Sequence, residues 1–479
     1  MRSGWFDLPN FGLRPKPEVI SCTLSGGGSK ASFQIGVLDY LYAHDPEFRP
    51  THFVGASAGA ILAAGLSQYA THEEQSAWVA KVTDIWLGMR TSDDMFAPRE
   101  WYHRLQQEGP DWLKIVQPHQ EPAKPKLQLF NRAGTPSSPV SPPIPADPVE
   151  AALTPERELK RAEWSVQDIA ALAGNIGRLP RIGSDLSSIW SGLETTRSMY
   201  RPGAVLKHLL EPEVFDPKRV RDSGMKLRVA MVALESGELR FMDEKGQLLD
   251  RDNNLFDPLQ RDLVLGLLAS CSIPAVFRAV PIGPETYVDG GTRENVPAEM
   301  AMSHLGGTRH YVVSSHVGGV SPRPSMADDS MFSVVMRSME ILIDESARDE
   351  IGWAKSRQAI VITPTIDVHD SMTVHPGLMQ IFRDHGWLRA AEVMHRASPE
   401  VVELHRRIIE QRMECLRLEQ AYLDAPAPLA RAEVTVAKLN LKQMIDRDES
   451  ELLPDDASEW ARKFEKHQRH FEVEPWWLD

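Results

Sequence analysis

The sequence predicts an α/β protein whose mainly parallel sheet is covered by helices on both faces. Short apolar segments rich in β-branched residues alternate along the chain with longer segments of helical period. Two glycine clusters stand between such a strand and the helix that follows it. In parallel α/β folds, such clusters lie at the carboxyl ends of the strands, where ligands bind.

Length and charge limit the domain count and the partners. The 479 residues correspond to about two to four domains at roughly 100–200 residues each. A hydrophobic content of 42% is enough for a sizeable core. The net charge is -14 and the sequence pI is about 5.6. We expect no nucleic-acid partner, because proteins that bind duplexes need clustered Lys and Arg.

The cysteines and the N-terminus bear on the compartment. The three cysteines, at positions 22, 271 and 415, form no CxxC motif, and their number is odd. This pattern excludes a disulfide framework and indicates a reducing compartment. The N-terminus has no apolar signal-peptide core, and no run of about 18 apolar residues occurs. We therefore expect a cytoplasmic protein, and we expect no metal or cofactor.

The first half of the predicted domain begins after a proline-rich tail, residues 1–18. An apolar run that ends at a glycine cluster is typical of a buried strand. Phe33, Val37 and Leu41 then recur at helical spacing. The predicted elements are the strands Val19–Leu24 and His52–Val54 and the helices Lys30–His44, Ala58–Tyr69 and Glu73–Met89.

Residues 91–199 are predicted to be an insertion within a catalytic domain that spans 19–365. Nine of the 31 residues from 118 to 148 are proline, a density that prevents a helix or a central strand. We interpret 118–148 as a flexible linker and the segments beside it as helices. Those helices, Ala151–Trp164 and Val166–Leu193, are candidates for a lid or for packing against the core.

The second half resumes near Tyr200 and ends in a helical extension, residues 366–479. The extension contains a predicted helical hairpin, Val401–Tyr422 with Leu429–Ile445, which packs against the core or forms a homodimer. The other predicted elements are the strand hairpin Leu227–Leu234 with Glu238–Met242, the strands Tyr287–Asp289, Tyr311–Ser315 and Ala359–Thr363, and the helices Asp262–Cys271 and Met331–Asp349.

A G-x-S-x-G motif, from Gly55 through Ser57 to Gly59, lies between the second strand and its helix. A sharp strand-to-helix turn strains the serine backbone and exposes its hydroxyl. The flanking glycines remove the Cβ atoms that would clash in so tight a turn. This pattern favours Ser57 as a nucleophile, and the other interpretation is a tight turn with an incidental serine.

A second glycine cluster, Gly26, Gly27 and Gly28 followed by Ser29 and Lys30, lies between the first strand and its helix. Unobstructed N–H groups at a helix N-terminus bind anions. The segment fails the P-loop pattern but fits G-x-G-x-x-[GA] of dinucleotide sites, which leaves a nucleotide-binding or signalling module as the alternative function. An oxyanion hole explains both glycine clusters with one reaction.

An acid motif, Asp289 followed by Gly290 and Gly291, comes at the end of a predicted strand. It is expected at the same sheet edge as the two glycine clusters. Asp-Gly-Gly is also an ordinary turn. An α/β-hydrolase triad would need a histidine after the acid instead. The available histidines are His304, His310, His316, His369, His375 and His385.

Together the three motifs resemble the patatin-like phospholipase family. They occur in the family's order, and the blocks Ser223–Met242, Ala269–Phe277 and Asp289–Ala301 are similar to family segments. One departure is Ala31, where the family usually has Gly. The resemblance implies a patatin-like three-layer α/β/α sandwich that hydrolyses acyl esters of phospholipids or lysophospholipids, with transient contact to a membrane surface.

The resemblance also implies a catalytic dyad without histidine. Ser57 would attack the ester carbonyl, and Asp289 would accept its proton. The N–H groups of the loop from Gly26 to Ser29 would hold the oxyanion. Since a free aspartate has a pKa of about 3.9, the dyad needs a desolvated site that raises this pKa. Lys30 either contacts a phosphate headgroup or lies solvated on the first helical turn.

Overall fold

A computed structural model describes residues 18–103, 198–320, 322, 325–327, 331–469 and 475–477. The chain divides into two compact units, Met1–Arg99 with Arg197–Asp479, and Glu100–Thr196. The helices and strands given below belong to the first unit. The predicted linker 118–148 and its two flanking helices lie outside the described residues.

Short strands dominate the sheet, and most of their residues are buried. Strand β1 is buried along its whole length, including the small polar side chains of Ser21 and Thr23 that stand between its apolar residues. The strands in the described part of the chain are β1 (Ile20–Leu24), β2 (His52–Ala56), β3 (Phe96–Pro98), β4 (Tyr200–Pro202), β5 (Lys226–Ala233), β6 (Leu239–Asp243), β7 (Leu248–Leu249), β8 (Leu255–Asp257), β9 (Val280–Ile282), β10 (Glu285–Asp289), β11 (Arg309–Val313) and β12 (Ile360–Ile362).

The central sheet has the order β12-β11-β1-β2-β5-β6-β7-β8 in the described chain. The strands from β12 to β5 are parallel. Antiparallel pairs continue the sheet from β5, through β6 on the main path and through β10 and β9 beside it. Thus β2 and β10, which end at Ser57 and Asp289, both pair with β5. The predicted mainly parallel sheet and the β5–β6 hairpin are confirmed.

Helices cover both faces of this sheet. The described helices are α1 (Ala31–His44), α2 (Ala58–Leu66), α3 (His72–Leu87), α4 (Ala204–Leu209), α5 (Pro217–Asp222), α6 (Leu263–Ser270), α7 (Met331–Ser356), α8 (Pro376–His395), α9 (Pro399–Asp424), α10 (Pro428–Asp446) and α11 (Ala457–Arg462).

Alternate strand residues point to opposite layers. On one face, Leu24 and Val229 join the core formed with α1, α2, α3 and α8. On the other, Val54 packs near the π-helical turn Met300–His304, and Val312 packs with Ile351 of α7. Because each strand supplies side chains to both faces, two helical layers are needed to cover them. The predicted three-layer α/β/α sandwich is confirmed.

Helix α8 lies within the predicted helical extension 366–479, but it was not identified from the sequence as a separate helix. It packs against α1, where a Cβ atom on Gly36 would lie 1.8 Å from Arg383 O and one on Gly386 would lie 2.0 Å from Phe33 O. These glycines let the two helix backbones approach closely. Because α8 also contacts α9, it buries side chains on more than one side. It therefore lacks the single apolar stripe by which an amphipathic helix is recognised.

The predicted helical hairpin is present as α9 and α10, and it is tied to the rest of the unit through buried ion pairs. Arg412 of α9 contacts Asp384 of α8 at 2.7 Å and Glu465 at 2.8 Å. Lys438 of α10 contacts Glu419 of α9 at 2.7 Å. Removing one partner of such a pair leaves a buried charge and costs about 3–5 kcal/mol. The hairpin therefore packs against the rest of the unit, which was one of the two expectations. The homodimer, which was the other, stays a prediction.

The three cysteines, Cys22, Cys271 and Cys415, are free and buried. Burial raises the pKa of each thiol, so the thiols stay protonated. No helix of the described residues is long and apolar enough to cross a membrane. The cytoplasmic location stays a prediction.

Candidate active site

Ser57 occupies the sharp turn between β2 and α2. Its φ of 51° and ψ of -129° lie in a region that residues with a side chain rarely adopt. Ser57 N–H donates to Ser270 Oγ at 3.0 Å, which helps to hold this strained conformation. Gly55 and Gly59 make the turn possible, because a Cβ atom on Gly55 would lie only 2.5 Å from Gly59 O.

Asp289 ends β10 and is almost fully buried. Burial raises the pKa of its carboxyl from 3.8 to about 7, although hydrogen bonding by the Ser57 hydroxyl and by Gly291 N–H lowers it in part. Gly291 N–H donates to Asp289 Oδ1 at 2.8 Å, and Gly290 packs its Cα against Ala230 of β5. The acid motif therefore sets the orientation of the carboxyl.

The second carboxylate oxygen of Asp289, Oδ2, is also buried. Oδ2 forms no hydrogen bond of regular geometry with any residue that the structure describes. A buried carboxylate oxygen without a donor is energetically unfavourable and needs an explanation. Since the Ser57 hydroxyl is close enough to affect the carboxyl pKa, this oxygen is available to take the serine proton.

The glycine loop contributes fewer free donors than predicted. Gly26 N–H donates to Asn295 O at 3.0 Å, and Ser29 N–H donates to Ser371 O at 2.9 Å. Including Gly26 and Ser29 among the oxyanion donors was therefore wrong, because both amides are already occupied. Gly27 and Gly28 N–H have no acceptor among the described residues. Gly28 has a φ of +55°, which favours glycine at this position.

The loop, the nucleophile and the acid meet at one pocket. A Cβ atom on Gly26 would lie 3.2 Å from Ser57 Cβ, so the loop lies directly against the nucleophile. Gly27, Gly28, Ser57, Asp289 and Gly291 all line this pocket. Its other lining residues are Lys30, Ile273, Pro274, Thr292, Asn295, His316, Met339, Glu340, Ile343, Asp344, Ser371 and Met372.

A second, almost wholly apolar cavity adjoins the first. The two cavities share Gly28, Ser57 and Ile273 in their walls. Ser57 therefore stands between a cavity whose wall includes charged groups, Lys30 and Asp344 among them, and a cavity lined almost entirely by apolar residues. The remaining lining residues of the apolar cavity are Ala58, Ile61, Trp86, Met95, Phe96, Leu206, Leu209, Cys271 and Phe277.

Lys30 is buried at the start of α1 rather than solvated. Its Nζ contacts Asp367 Oδ1 at 2.7 Å. The interpretation of Lys30 as a solvated surface residue was therefore wrong, since a carboxylate from the segment before α8 neutralises it inside the fold. The residue still lines the pocket that contains Ser57 and Asp289.

A histidine triad is not formed at Ser57. Of the six candidate histidines, His316 lines the pocket. His316 Nδ1 lies 2.7 Å from Asp344 Oδ1, and its Nε2 lies 2.8 Å from Asn295 Nδ2. Within the described residues, no histidine is hydrogen-bonded to Ser57. Burial lowers the pKa of His369 to about 4 and that of His385 to about 3, so both are neutral.

Sequence reasoning missed Asn295 and Asp344, which line the pocket, and it named His316 only as one of six possible triad histidines. Asn295 falls within the block Asp289–Ala301, but its contacts to the glycine loop were not expected. The only available signal was its position six residues after the acid. No group of three or more His, Cys, Asp or Glu in the described chain is placed to hold a metal ion.

Comparisons with known proteins give one family match and several similar solved structures. The model of the patatin-like phospholipase family matches residues 23–302. The structure of VipD from Legionella pneumophila aligns at 12% identity and a TM-score of 0.31, covering 95% of this chain and 94% of that chain.

The type III effector ExoU, from Pseudomonas aeruginosa, aligns at 14% identity and a TM-score of 0.26, covering 93% of this chain and 72% of that chain. Because both TM-scores are below 0.5, family membership rests on the family match alone. No curated protein sequence matches the chain.

Proposed function

The chain belongs to the patatin-like phospholipase family and is a lipid ester hydrolase, and from that premise we propose that Ser57 and Asp289 form its catalytic dyad. The observation that carries the proposal is the buried carboxyl of Asp289 beside the strained serine. Its pKa of about 7 makes it a far better base than an exposed aspartate. The proposed substrates are acyl esters of phospholipids or lysophospholipids.

In the first half of the reaction, Ser57 Oγ attacks the ester carbonyl carbon and its proton passes to Asp289. The carbonyl oxygen becomes an oxyanion, which Gly27 and Gly28 N–H stabilise. The tetrahedral intermediate collapses, the bond to the alcohol oxygen breaks, and Asp289 returns the proton to that oxygen. The alcohol leaves, and the acyl group remains as an ester on Ser57.

In the second half, water attacks the acyl-serine carbonyl and Asp289 takes a proton from the water. The same two N–H groups hold the second oxyanion. Collapse breaks the bond to Ser57 Oγ, which recovers its proton from Asp289. A fatty acid is released, and the dyad returns to its starting state.

The two adjoining cavities support a defined substrate orientation. The acyl chain occupies the apolar cavity, where Ile61, Trp86 and Phe277 supply hydrocarbon and aromatic surface. The alcohol part, with its headgroup, occupies the adjoining pocket, whose wall includes Lys30 and Asp344. Lys30 is the proposed headgroup contact, and its pairing with Asp367 means that an anionic headgroup must compete with that carboxylate.

We place the contact with the lipid surface on the outer face of α7. Val334, Val335, Ile341 and Leu342 are exposed there, with Leu342 at 71%. The same helix lines the catalytic pocket through Met339 and Ile343, so a lipid that enters the pocket passes this face. A protein of net charge -14 needs an apolar rather than an electrostatic contact with lipid. The candidate lid helix Val166–Leu193, in which Ile176, Ile182, Ile189 and Trp190 are the side chains proposed to cover acyl chains, lies outside the described residues.

A homodimer through the C-terminal helices remains part of the proposal. The outer face of α10 exposes Leu429, Val436 and Leu439. Helix α10 spans Pro428–Asp446, and these side chains recur along it at helical spacing. Sedimentation analysis of the wild type and of Val436→Glu tests it, because a monomeric wild type would exclude this interface.

Labelling by a serine-directed fluorophosphonate tests the dyad. The reagent should modify Ser57, as located by peptide mapping, and Ser57→Ala should lose both the label and esterase turnover. Ser236→Ala, in the exposed β5–β6 turn, is the matched control and should keep both. A wild type that leaves Ser57 unlabelled but binds a nicotinamide dinucleotide in calorimetry would favour the nucleotide-binding alternative.

A further inference from the structure

The peptide groups on both sides of Gly26 are fixed by neighbouring residues. Gly26 N–H donates to Asn295 O at 3.0 Å. Gly26 O accepts hydrogen bonds from Ser315 Oγ at 2.9 Å and from Ser25 Oγ at 2.8 Å. Ser315 is fully buried two residues after the end of β11, so its hydroxyl is held in place beside the sheet.

The fixed carbonyl of Gly26 determines the direction of the next N–H group. A trans peptide is planar, so the C=O of Gly26 and the N–H of Gly27 point in opposite directions. Because Gly27 N–H has no acceptor of its own among the described residues, nothing else sets its direction. The hydroxyl groups that bond to Gly26 O therefore also determine the direction of the Gly27 N–H.

His316 completes this arrangement from the other side. Its Nδ1–H donates to Asp344 of α7 at 2.7 Å, and its Nε2 accepts from Asn295 Nδ2 at 2.8 Å. The Nε2 atom also lies 3.3 Å from Gly26 O. Asn295 is pressed against the loop, since a Cβ atom on Gly26 would lie 2.2 Å from its Oδ1. Asp344 thus orients His316, and His316 orients Asn295, whose carbonyl accepts from Gly26 N–H.

We propose that Ser315 and His316 are positioning residues that aim the Gly27 N–H at the oxyanion. The proposal rests on the proposed function, because an oxyanion forms only if Ser57 attacks an ester. His316 acts through Asn295 and not as a base, since Asp344 and Asn295 occupy both of its ring nitrogens. From the sequence, His316 was one of six possible triad histidines. Its contacts indicate a positioning role instead.

The test uses the full-length protein, a short soluble ester, and a trifluoromethyl ketone whose serine adduct carries an oxyanion. Loss of one oxyanion donor costs about 100- to 1,000-fold in turnover, and a donor that is misaimed but present should cost about 10- to 100-fold. We expect Ser315→Ala and His316→Gln to lower kcat by that factor with KM nearly unchanged. Affinity for the ketone should fall in parallel.

Three further variants make the test specific. His310→Gln changes a histidine within β11 that pairs with Ser21, away from the pocket, and should leave kcat and ketone affinity unchanged. Asp344→Ala removes the acceptor of His316 Nδ1–H and should lower kcat. Asp344→Asn keeps an acceptor there and should retain most of the activity that Asp344→Ala loses. Melting temperatures of all variants identify any that fail to fold. If Ser315→Ala or His316→Gln fails to fold, the comparison of kcat between Asp344→Asn and Asp344→Ala replaces it.

The outcomes separate the two levels of the proposal. If kcat falls while ketone affinity is unchanged, or if neither changes, the positioning role is wrong. If the activity of His316→Gln no longer rises with pH through about 7, His316 is a base and the positioning role is also wrong. A wild type that hydrolyses no acyl ester would instead overturn the proposed function.

Discussion

Replacing Asp289 by Asn should abolish turnover and, above neutral pH, stabilise the protein. The carboxyl of Asp289 is 5% exposed, and burial raises its pKa to about 7. In the unfolded chain the same group has a pKa near 3.9. The folded state must therefore hold an ionised carboxyl in a desolvated site at pH 8. Asn fills the same space, still accepts from Gly291 N–H, and carries no charge.

The sign and size of the effect follow from proton linkage. Between pH 4 and pH 7 the folded state binds the proton more tightly than the unfolded state, so wild-type stability falls as pH rises. Moving a pKa from 3.8 to about 7 corresponds to about 4 kcal/mol, which is the upper bound of the loss. The loss is absent below pH 4 and complete above pH 7. In the Asn variant it is absent throughout.

Urea unfolding of wild type and Asp289→Asn at pH 4, 6 and 8 measures the difference. Burial also raises the pKa of Glu294 to about 7, but both proteins contain Glu294, so its contribution cancels. Burial and Asp289 raise the pKa of the Cys271 thiol, which stays neutral over this range. A difference in unfolding free energy that does not change between pH 4 and pH 8 would refute the reasoning.

Three further predictions test other parts of the site. Gly27→Val should lower kcat on a soluble ester by about 100- to 1,000-fold, because its Cβ would lie 2.1 Å from Ser315 Oγ and the loop must move. Changing Val335 and Leu342 to Ser should reduce hydrolysis of vesicle lipids far more than hydrolysis of that ester; an equal loss on both would mean that α7 supports the pocket instead. Asp367→Asn should release Lys30 and raise activity on phosphatidylglycerol relative to diacylglycerol, and an unchanged ratio would remove Lys30 as the headgroup contact.

Much of the fold could be predicted where the signal is local. β1, α1, β2 and α2 are short apolar segments bounded by glycine clusters, and their order already indicates parallel strands. Helix α8 could not be found in this way, because it is covered by α1 on one side and by the C-terminal hairpin on another. Its sequence is set by three-dimensional packing, and no single helical face separates apolar from polar residues.

The same distinction applies within the site. The turn at Ser57 and the acid motif at Asp289 are encoded in five and three consecutive residues, so the sequence identifies them. A glycine motif indicates which N–H groups are sterically open but not which are already bonded. Ser29 N–H is taken by Ser371 O, from a distant part of the chain. Likewise, His316, which follows β11, contacts Asp344 of α7, and no local sequence pattern predicts this contact.

Activity and stability should therefore oppose each other over the same pH interval. The proposed dyad works only when Asp289 has lost its proton, and in the desolvated site that ionisation costs folding free energy. Ser57 adds a second cost, because its backbone is held at a φ of 51°. Both destabilising features, the buried charge of Asp289 and the strained backbone of Ser57, lie at the residues proposed to react. The buried ion pairs of Arg412 and Lys438 lie away from them, in the C-terminal helices. Substitutions that relieve either cost should raise stability and lower turnover, whereas changes confined to the helical hairpin should not couple the two.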